Sequence, residues 1–76
     1  MKELIQTIVT PLVDYPEDVR VNVAEEENRM TYYLTVHKSD MGKVIGKQGR
    51  VAKAIRTVVY AAGSSQKKKI FLEIVE

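Results

Sequence analysis

Two glycines, Gly46 and Gly49, stand three residues apart in the segment VIGKQGR, with a lysine and a glutamine between them. Glycine tolerates positive φ and has no Cβ, so a polyanion can lie directly against the main chain of such a turn. The apolar pair Val44 and Ile45 predicts a short helix before the turn. Arg50 begins a second helical pattern, whose first N–H groups favour negative charge. The segment therefore predicts a helix, a GKQG turn and a second helix that together can hold phosphate.

The charge is unevenly distributed along the chain. Residues 38–56 contain six basic side chains and one acidic side chain, a net charge of +5, whereas the whole chain carries +2. A basic segment on an otherwise acidic body is typical of a protein that binds a polyanion. A run of Lys and Arg can also be a solvated helix face, and it is the glycine turn that favours the first interpretation.

Length and composition limit the classes of protein to consider. The 76 residues predict a single domain, residues 1–76, whose core is too small for a large internal active site. The chain has no cysteine, which excludes disulfides and sulfur-ligated zinc and fits a reducing cytosol. No apolar run approaches the roughly 20 residues of a membrane span, and the N-terminus lacks the pattern of a secretory signal. We therefore expect a cytoplasmic protein.

Hydrophobic periodicity predicts an α+β fold with the element order α-β-β-α-α-β, in which the helices pack on one face of a three-stranded sheet. Pro11 should loosen the end of the first helix. Ser39 or Asp40 is expected to cap the second helix, and Gly63 to end the third, before a polar loop at residues 64–66. The predicted helices cover residues 2–14, 41–45 and 50–62, and the predicted strands cover residues 19–24, 32–37 and 70–74.

The GKQG turn, its flanking helices and the element order resemble a KH domain of type II. The length, the segment DMGKVIGKQGR and the run AKAIRT resemble more narrowly the small bacterial proteins that consist of one KH domain. KH domains hold the backbone of about four nucleotides at a GXXG loop. The resemblance therefore implies a non-catalytic protein that binds single-stranded RNA, as an RNA chaperone or post-transcriptional regulator. A role in bacterial cell shape is compatible with it, although no residue argues for that role directly.

The resemblance also implies a set of RNA-binding residues. Gly46 and Gly49 would set the shape of the loop, while Lys47 and Gln48 occupy its two variable positions. Basic residues one turn to either side would add phosphate contacts, which determine affinity and register but not sequence preference. Ala52 stands where many KH domains have a bulky aliphatic residue, so the sequence does not predict the shape of the base-binding groove. The residues implied are Lys43, Ile45, Gly46, Lys47, Gln48, Gly49, Arg50 and Lys53, with parts of residues 70–72 across the groove.

The long predicted helix is apolar over an arc of about 180°, wider than the roughly 100° that packing on a core requires. Either the sheet and the first helix bury the whole arc, or another protein covers part of it. The resemblance implies a homodimer, or a heterodimer with a larger KH-containing protein, and a twofold contact is the default for a homodimer. The interface residues expected on this helix are Ala54, Val58, Ala61 and Ala62.

Two other functions are alternatives to RNA binding. The first is a protein-assembly module in which RNA binding is vestigial, and the long helix alone supports it. The second is an enzyme, but the glycines match neither G-x-x-x-x-G-K-[ST] nor G-x-G-x-x-G, and one histidine without cysteine forms no credible nucleophilic set. We therefore predict no catalysis, no cofactor, no metal, no small-molecule substrate and no membrane association.

Overall fold

The computed structural model describes residues 1–65 and 67–75. Its helices and strands follow one another in the predicted order, so the α+β class is confirmed. Gln66, in the predicted polar loop, lies outside the described residues. The helices are α1 (Lys2–Val9), α2 (Met41–Ile45) and α3 (Arg50–Ala62), and the strands are β1 (Arg20–Glu25), β2 (Arg29–Thr35) and β3 (Lys69–Ile74).

The first helix is shorter than predicted. α1 ends at Val9, and residues Thr10–Leu12 continue as a single 3₁₀ turn that contains Pro11. Proline has no N–H to donate, and its ring crowds the preceding turn, so the α-helical hydrogen bonds stop there. The predicted range of 2–14 was therefore too long, while the looser final turn at Pro11 is confirmed.

The three strands form one mixed sheet in the order β1-β2-β3. β1 and β2 form an antiparallel hairpin in which Val21 lies opposite Leu34, whereas β2 and β3 are parallel, with Tyr32 opposite Leu72. Parallel neighbours require a crossover connection, which α2, the GKQG turn and α3 supply. The glycine turn therefore lies in the crossover, on the side of the sheet that the helices cover.

The core lies between the helices and one face of the sheet. On β2, Tyr32 and Leu34 are buried on the helix side, whereas Tyr33 is 37% exposed on the opposite face. This arrangement confirms that the helices pack on one face of the sheet. The buried apolar side chains are Ile5, Val9, Val19, Val21, Tyr32, Leu34, Val36, Val44, Ala52, Ile55, Val59 and Leu72.

Gly63 ends α3 as predicted, but not for a conformational reason. Its φ is −87°, which every residue type can adopt. A Cβ at this position would lie 2.7 Å from Cγ1 of Ile70, closer than real Cβ atoms approach. Glycine is needed here because the end of α3 passes directly over the start of β3.

Asp40 attaches α2 to the rest of the domain. Its side chain is fully buried, and its two carboxylate oxygens accept hydrogen bonds from the backbone N–H groups of Asp14 and Tyr15, each at 3.0 Å. The expectation that Ser39 or Asp40 caps α2 is wrong, because no side chain makes that cap. The carboxylate instead holds the α1–β1 connection against the start of α2, and His37 Nδ1 accepts the N–H of Ser39.

Candidate nucleic-acid interface

The GKQG turn has an unusual backbone. Gly46 has φ 73° and ψ 179°, Gly49 has φ 73° and ψ 15°, and Gln48 between them has φ 56° and ψ 27°. These are the only positive φ values among residues 1–65 and 67–75. Positive φ at both glycines confirms the sequence interpretation of the turn, whereas Gln48 was not expected to share it, since a side chain there costs about 1 kcal/mol or more. The turn leads directly into α3, which begins at Arg50.

The two glycines are required for different reasons. A Cβ at Gly46 would lie 2.4 Å from Cγ2 of Val51, and the combination of φ and ψ at Gly46 is one that only glycine adopts readily. At Gly49 a Cβ would have no atom within 4 Å, so only the left-handed conformation disfavours a side chain.

We therefore expect Gly46→Ala to destabilise the domain more than Gly49→Ala does. The left-handed conformation alone predicts a loss of about 1 to 2 kcal/mol for Gly49→Ala. The clash with Val51 in addition predicts roughly 2 to 4 kcal/mol for Gly46→Ala. Urea denaturation of both variants measures the difference. Equal losses of stability would contradict the close packing of Val51 on the turn.

The turn presents most of the predicted RNA-binding side chains to solvent. Lys47 and Gln48 are exposed at its tip, Arg50 is exposed at the first position of α3, and Lys53 is exposed one turn later. Ile45 is half-buried just before the turn and packs against the core. The four exposed side chains therefore form one polar surface around the start of α3.

Lys43 lies beside two carboxylates and not on this polar surface. Its ammonium group forms an ion pair with the carboxylate of Asp14 and lies 3.6 Å from the buried carboxylate of Asp40. The hydrogen bond to Asp14 is the main reason that the pKa of Lys43 is raised above its usual value. A phosphate would have to compete with two carboxylates for this side chain. The structure therefore makes Lys43 part of the attachment between α2 and the α1–β1 connection.

Two side chains on α3 outside the predicted RNA-binding set, Arg56 and Tyr60, lie along the free edge of β3. The backbone N–H groups of Lys69 and Val75 bond towards β2, so alternation directs the N–H and C=O of Leu72 outward. The guanidinium Nε of Arg56 donates to the Leu72 carbonyl at 3.2 Å, and the Leu72 N–H lies 3.5 Å from the hydroxyl of Tyr60. The spacing of three to four residues from Lys53 through Arg56 to Tyr60 is the sequence signal that could have identified this face.

An apolar groove of about 370 Å³ runs between α1 and α3, on another face of α3. Ala54 and Val58, two of the predicted interface residues, line it, and Val58 is 47% exposed. The idea that the sheet and the first helix bury the whole apolar arc of α3 is therefore wrong. Ala61 and Ala62 are exposed but do not line the groove. Its lining residues are Ile8, Leu12, Arg50, Val51, Ala54, Ile55 and Val58.

Comparison with known protein families gives a match over residues 2–74 to the family described as KhpA/KhpB, KH domain. The chain belongs to the KhpA/KhpB family. Bacterial proteins named RNA-binding protein KhpA are similar to it over their full length or nearly so. The KhpA of Listeria monocytogenes is 63% identical over 76 residues, which is all of both chains. The KhpA of Oceanobacillus iheyensis is 59% identical over 75 residues, covering 99% of this chain and all of the relative.

The KhpA of Bacillus subtilis is 57% identical over 76 residues, covering all of this chain and 94% of the relative. Membership of the KhpA/KhpB family confirms the resemblance to small bacterial proteins with one KH domain, and with it the type of fold. The family is non-enzymatic, which confirms that this chain is not an enzyme.

The described residues contain neither a membrane-spanning helix nor a metal-binding cluster. No helix within them has both the length and the apolar character to cross a bilayer. Over the same residues, no three His, Cys, Asp or Glu side chains come together in a way that could hold a metal ion.

Proposed function

We propose that this protein is a cytoplasmic RNA chaperone or post-transcriptional regulator that binds single-stranded RNA, with the RNA backbone held on the GKQG loop. The observation that carries the proposal is the loop itself, where Gly46, Gln48 and Gly49 have positive φ and the side chains of Lys47 and Gln48 are exposed. Relatives at 57 to 63% identity bear the name RNA-binding protein. A role in cell shape would follow from the RNAs it regulates.

The first turn of α3 supports the same proposal. Its N-cap residue is Gly49, and no side chain caps the helix. The N–H groups of Gly49 and Arg50 donate to the carbonyls of Gly46 and Lys47 within the turn. The N–H groups that follow in the first turn of α3 have no partner within the helix, and they favour an anion. Lys47, Arg50 and Lys53 surround this helix end with positive charge. One phosphate group can therefore accept hydrogen bonds from the main chain while its neighbours contact the side chains.

The bases would then lie along the surface where α3 meets the free edge of β3. Ile45 is half-buried at the loop end of this surface, and Arg56 and Tyr60, which bridge α3 to Leu72, lie further along it. A tyrosine ring and a guanidinium plane both stack on bases of any sequence. We expect binding with little sequence preference, because most of these contacts are to phosphates and base faces.

Titration with a short single-stranded RNA at several salt concentrations tests the proposal. Each phosphate contact to a single strand contributes about −0.7 to the slope of log K against log[salt]. Contacts from Lys47, Arg50 and Lys53 would therefore give a slope of roughly −2. Binding that is independent of salt would contradict a site built on the phosphate backbone.

The apolar groove between α1 and α3 supports a further part of the proposal. We propose that it binds a second copy of the chain, or a larger KH-containing protein, with a helix of the partner seated against Ala54 and Val58. The small side chain of Ala54 allows a close approach of the partner backbone, and the groove walls are almost entirely apolar. If assembly is the main function and RNA binding is vestigial, this groove and not the loop will determine activity.

We expect Val58→Glu to abolish this association, because a carboxylate in an apolar interface loses its hydration without gaining a partner. Thr57→Glu, which adds the same charge at the neighbouring exposed position outside the groove, is the matched control. Analytical ultracentrifugation of the natural protein and both variants measures the result. Association that survives in Val58→Glu would place the interface elsewhere.

A further inference from the structure

The face of the sheet opposite the helices carries a second aromatic and basic surface. Tyr33 on β2 is 37% exposed there, and Phe71 on β3 is half-buried. A shallow depression of about 400 Å³ lies over this face. The GKQG loop belongs to the helix side and contributes nothing to the depression. Its lining residues are Arg29, Thr31, Tyr33, Phe71, Glu73 and Val75.

The aromatic rings are neighbours on adjacent strands. Phe71 lies directly opposite Thr31 in the β2–β3 register, and Tyr33 is two residues further along β2 on the same face. Diagonal neighbours at this spacing are within reach of each other's aromatic side chains. The guanidinium carbon of Arg29 lies 5.7 Å from the centre of the Phe71 ring. The sheet thus presents two rings and a cation side by side.

Positive charge on this face exceeds negative charge. Arg29 and Lys69 lie opposite each other in the β2–β3 register, and like charges so placed repel. The Nε–H of Arg29 donates to the Glu26 carboxylate at 2.8 Å, whereas Lys69 is exposed. Arg20 lies on the same face of β1. The acidic side chains here are Glu73 and Glu26, the partner of Arg29. Glu26 already offsets the charge of Arg29, and a phosphate beside Lys69 would offset the remaining positive charge of the pair.

We propose that this sheet face is a second binding surface for single-stranded nucleic acid, with bases stacked on Tyr33 and Phe71 and phosphates near Arg29 and Lys69. Aromatic side chains on a basic surface are how proteins bind single strands without reading their sequence. The surface is distinct from the GKQG site and depends on the proposed function only for the class of ligand. With one strand segment on each side of the sheet, the protein would hold two stretches of RNA apart.

The experiment compares two fluorescent oligouridylates of roughly 5 and roughly 15 nucleotides, lengths that match one short site and an extended path. The ring variant is Tyr33→Leu with Phe71→Leu, which keeps apolar bulk and removes both aromatic faces. Tyr15→Leu is the control, since Tyr15 is 41% exposed but stacks on His37, and neither residue lines this depression. The loop variant is Lys47→Asp with Gln48→Asp. Circular dichroism establishes that each variant is folded before its binding is measured.

We expect the ring variant to bind the longer strand about fivefold or more weakly than the Tyr15→Leu control, since each stacked base contributes strongly to affinity. It should bind the shorter strand normally, whereas the loop variant should lose both. An oligonucleotide carrying 5-iodouridine should crosslink to Tyr33 or Phe71. If the loop variant still binds the longer strand and the ring variant does not, the sheet proposal is supported and the loop proposal is overturned.

Equal binding of the longer strand by the ring variant and its control, with crosslinks only around residues 45–53, would overturn the sheet surface and leave the loop proposal intact. The sheet proposal is also overturned if the ring variant loses self-association in ultracentrifugation while its RNA affinity is unchanged, because the face would then bind protein. Failure of the natural protein to bind either strand would overturn both proposals.

Discussion

Changing Lys47 and Gln48 together to aspartate is expected to weaken binding of a short single-stranded RNA by roughly a hundredfold or more at about 0.1 M salt. The double substitution makes the loop more negative by three charges beside the phosphates it is proposed to hold. At this salt concentration charges interact over about 10 Å, so the repulsion acts on every phosphate at the loop. Fluorescence anisotropy with the labelled RNA measures the affinity, in the same salt titration that tests the natural protein.

The chain offers a closely matched control. Lys2 and Gln6 are both exposed on α1, so Lys2→Asp with Gln6→Asp makes the same chemical change far along the sequence from the loop. This control should bind RNA within about threefold of the natural protein, since it alters only the distant, screened charge. Similar losses in both double variants would mean that binding depends on net charge alone, and the loop would then have no special part in it.

Asp40→Asn is expected to lower the melting temperature by about 10 °C, a large effect for a change of one atom type. The buried carboxylate accepts two backbone N–H groups, from Asp14 and Tyr15. An amide has only one oxygen, so its NH₂ group would face one of these donors and leave it unsatisfied in the interior. Thermal unfolding followed by circular dichroism measures the shift.

The same residue predicts how the stability depends on pH. Burial raises the pKa of Asp40, but the N–H groups of Asp14 and Tyr15 and the ammonium group of Lys43 outweigh it, so the pKa lies below its usual value. A lowered pKa means that the carboxylate stabilises the fold above its unfolded pKa of about 3.9, and that this stabilisation is lost as the pH falls through the folded pKa. The gap between natural protein and Asp40→Asn should therefore be largest near neutral pH and should narrow below about pH 4.

Asp18→Asn serves as the control for this pair of measurements. The side chain of Asp18 accepts no hydrogen bond in the described part of the chain, and it is only half-buried. Its melting temperature should stay within about 2 °C of that of the natural protein. If Asp40→Asn were equally harmless at neutral pH, the carboxylate would not be what attaches α2 to the α1–β1 connection.

Local features were predictable because they depend on short stretches of chain. The apolar period of α3 predicted Arg50–Ala62 without error, and the residue types at Gly46 and Gly49 predicted the positive φ of the turn. The predicted end of α1 was less accurate. Apolar residues at helical spacing continue past Pro11, whereas the missing N–H ends the α-helix at Val9. Periodicity describes which face is apolar, but not which hydrogen bonds can form.

In the candidate site, too, local placement was predictable and contacts between distant residues were not. Lys47, Gln48, Arg50 and Lys53 were placed correctly on an exposed surface, because they lie on one turn and the helix that follows it. The partner of Lys43 was missed because Asp14 is 29 residues away, in a connection whose path no local pattern reveals. Arg56 was missed for the same reason, since its acceptor lies 16 residues away on β3.

By itself, the sequence determined the family of this protein, the order of its elements and the positive φ of Gly46 and Gly49, since each of these follows from neighbouring residue types. Only the tertiary structure decided that Asp40 is a buried attachment point and not a helix cap, and that Tyr33 and Phe71 share the open face of the sheet. These outcomes depend on the strand register and on which face the helices cover. Both arise from contacts between residues far apart in the chain, and the free energy of those contacts is settled only when the whole domain packs.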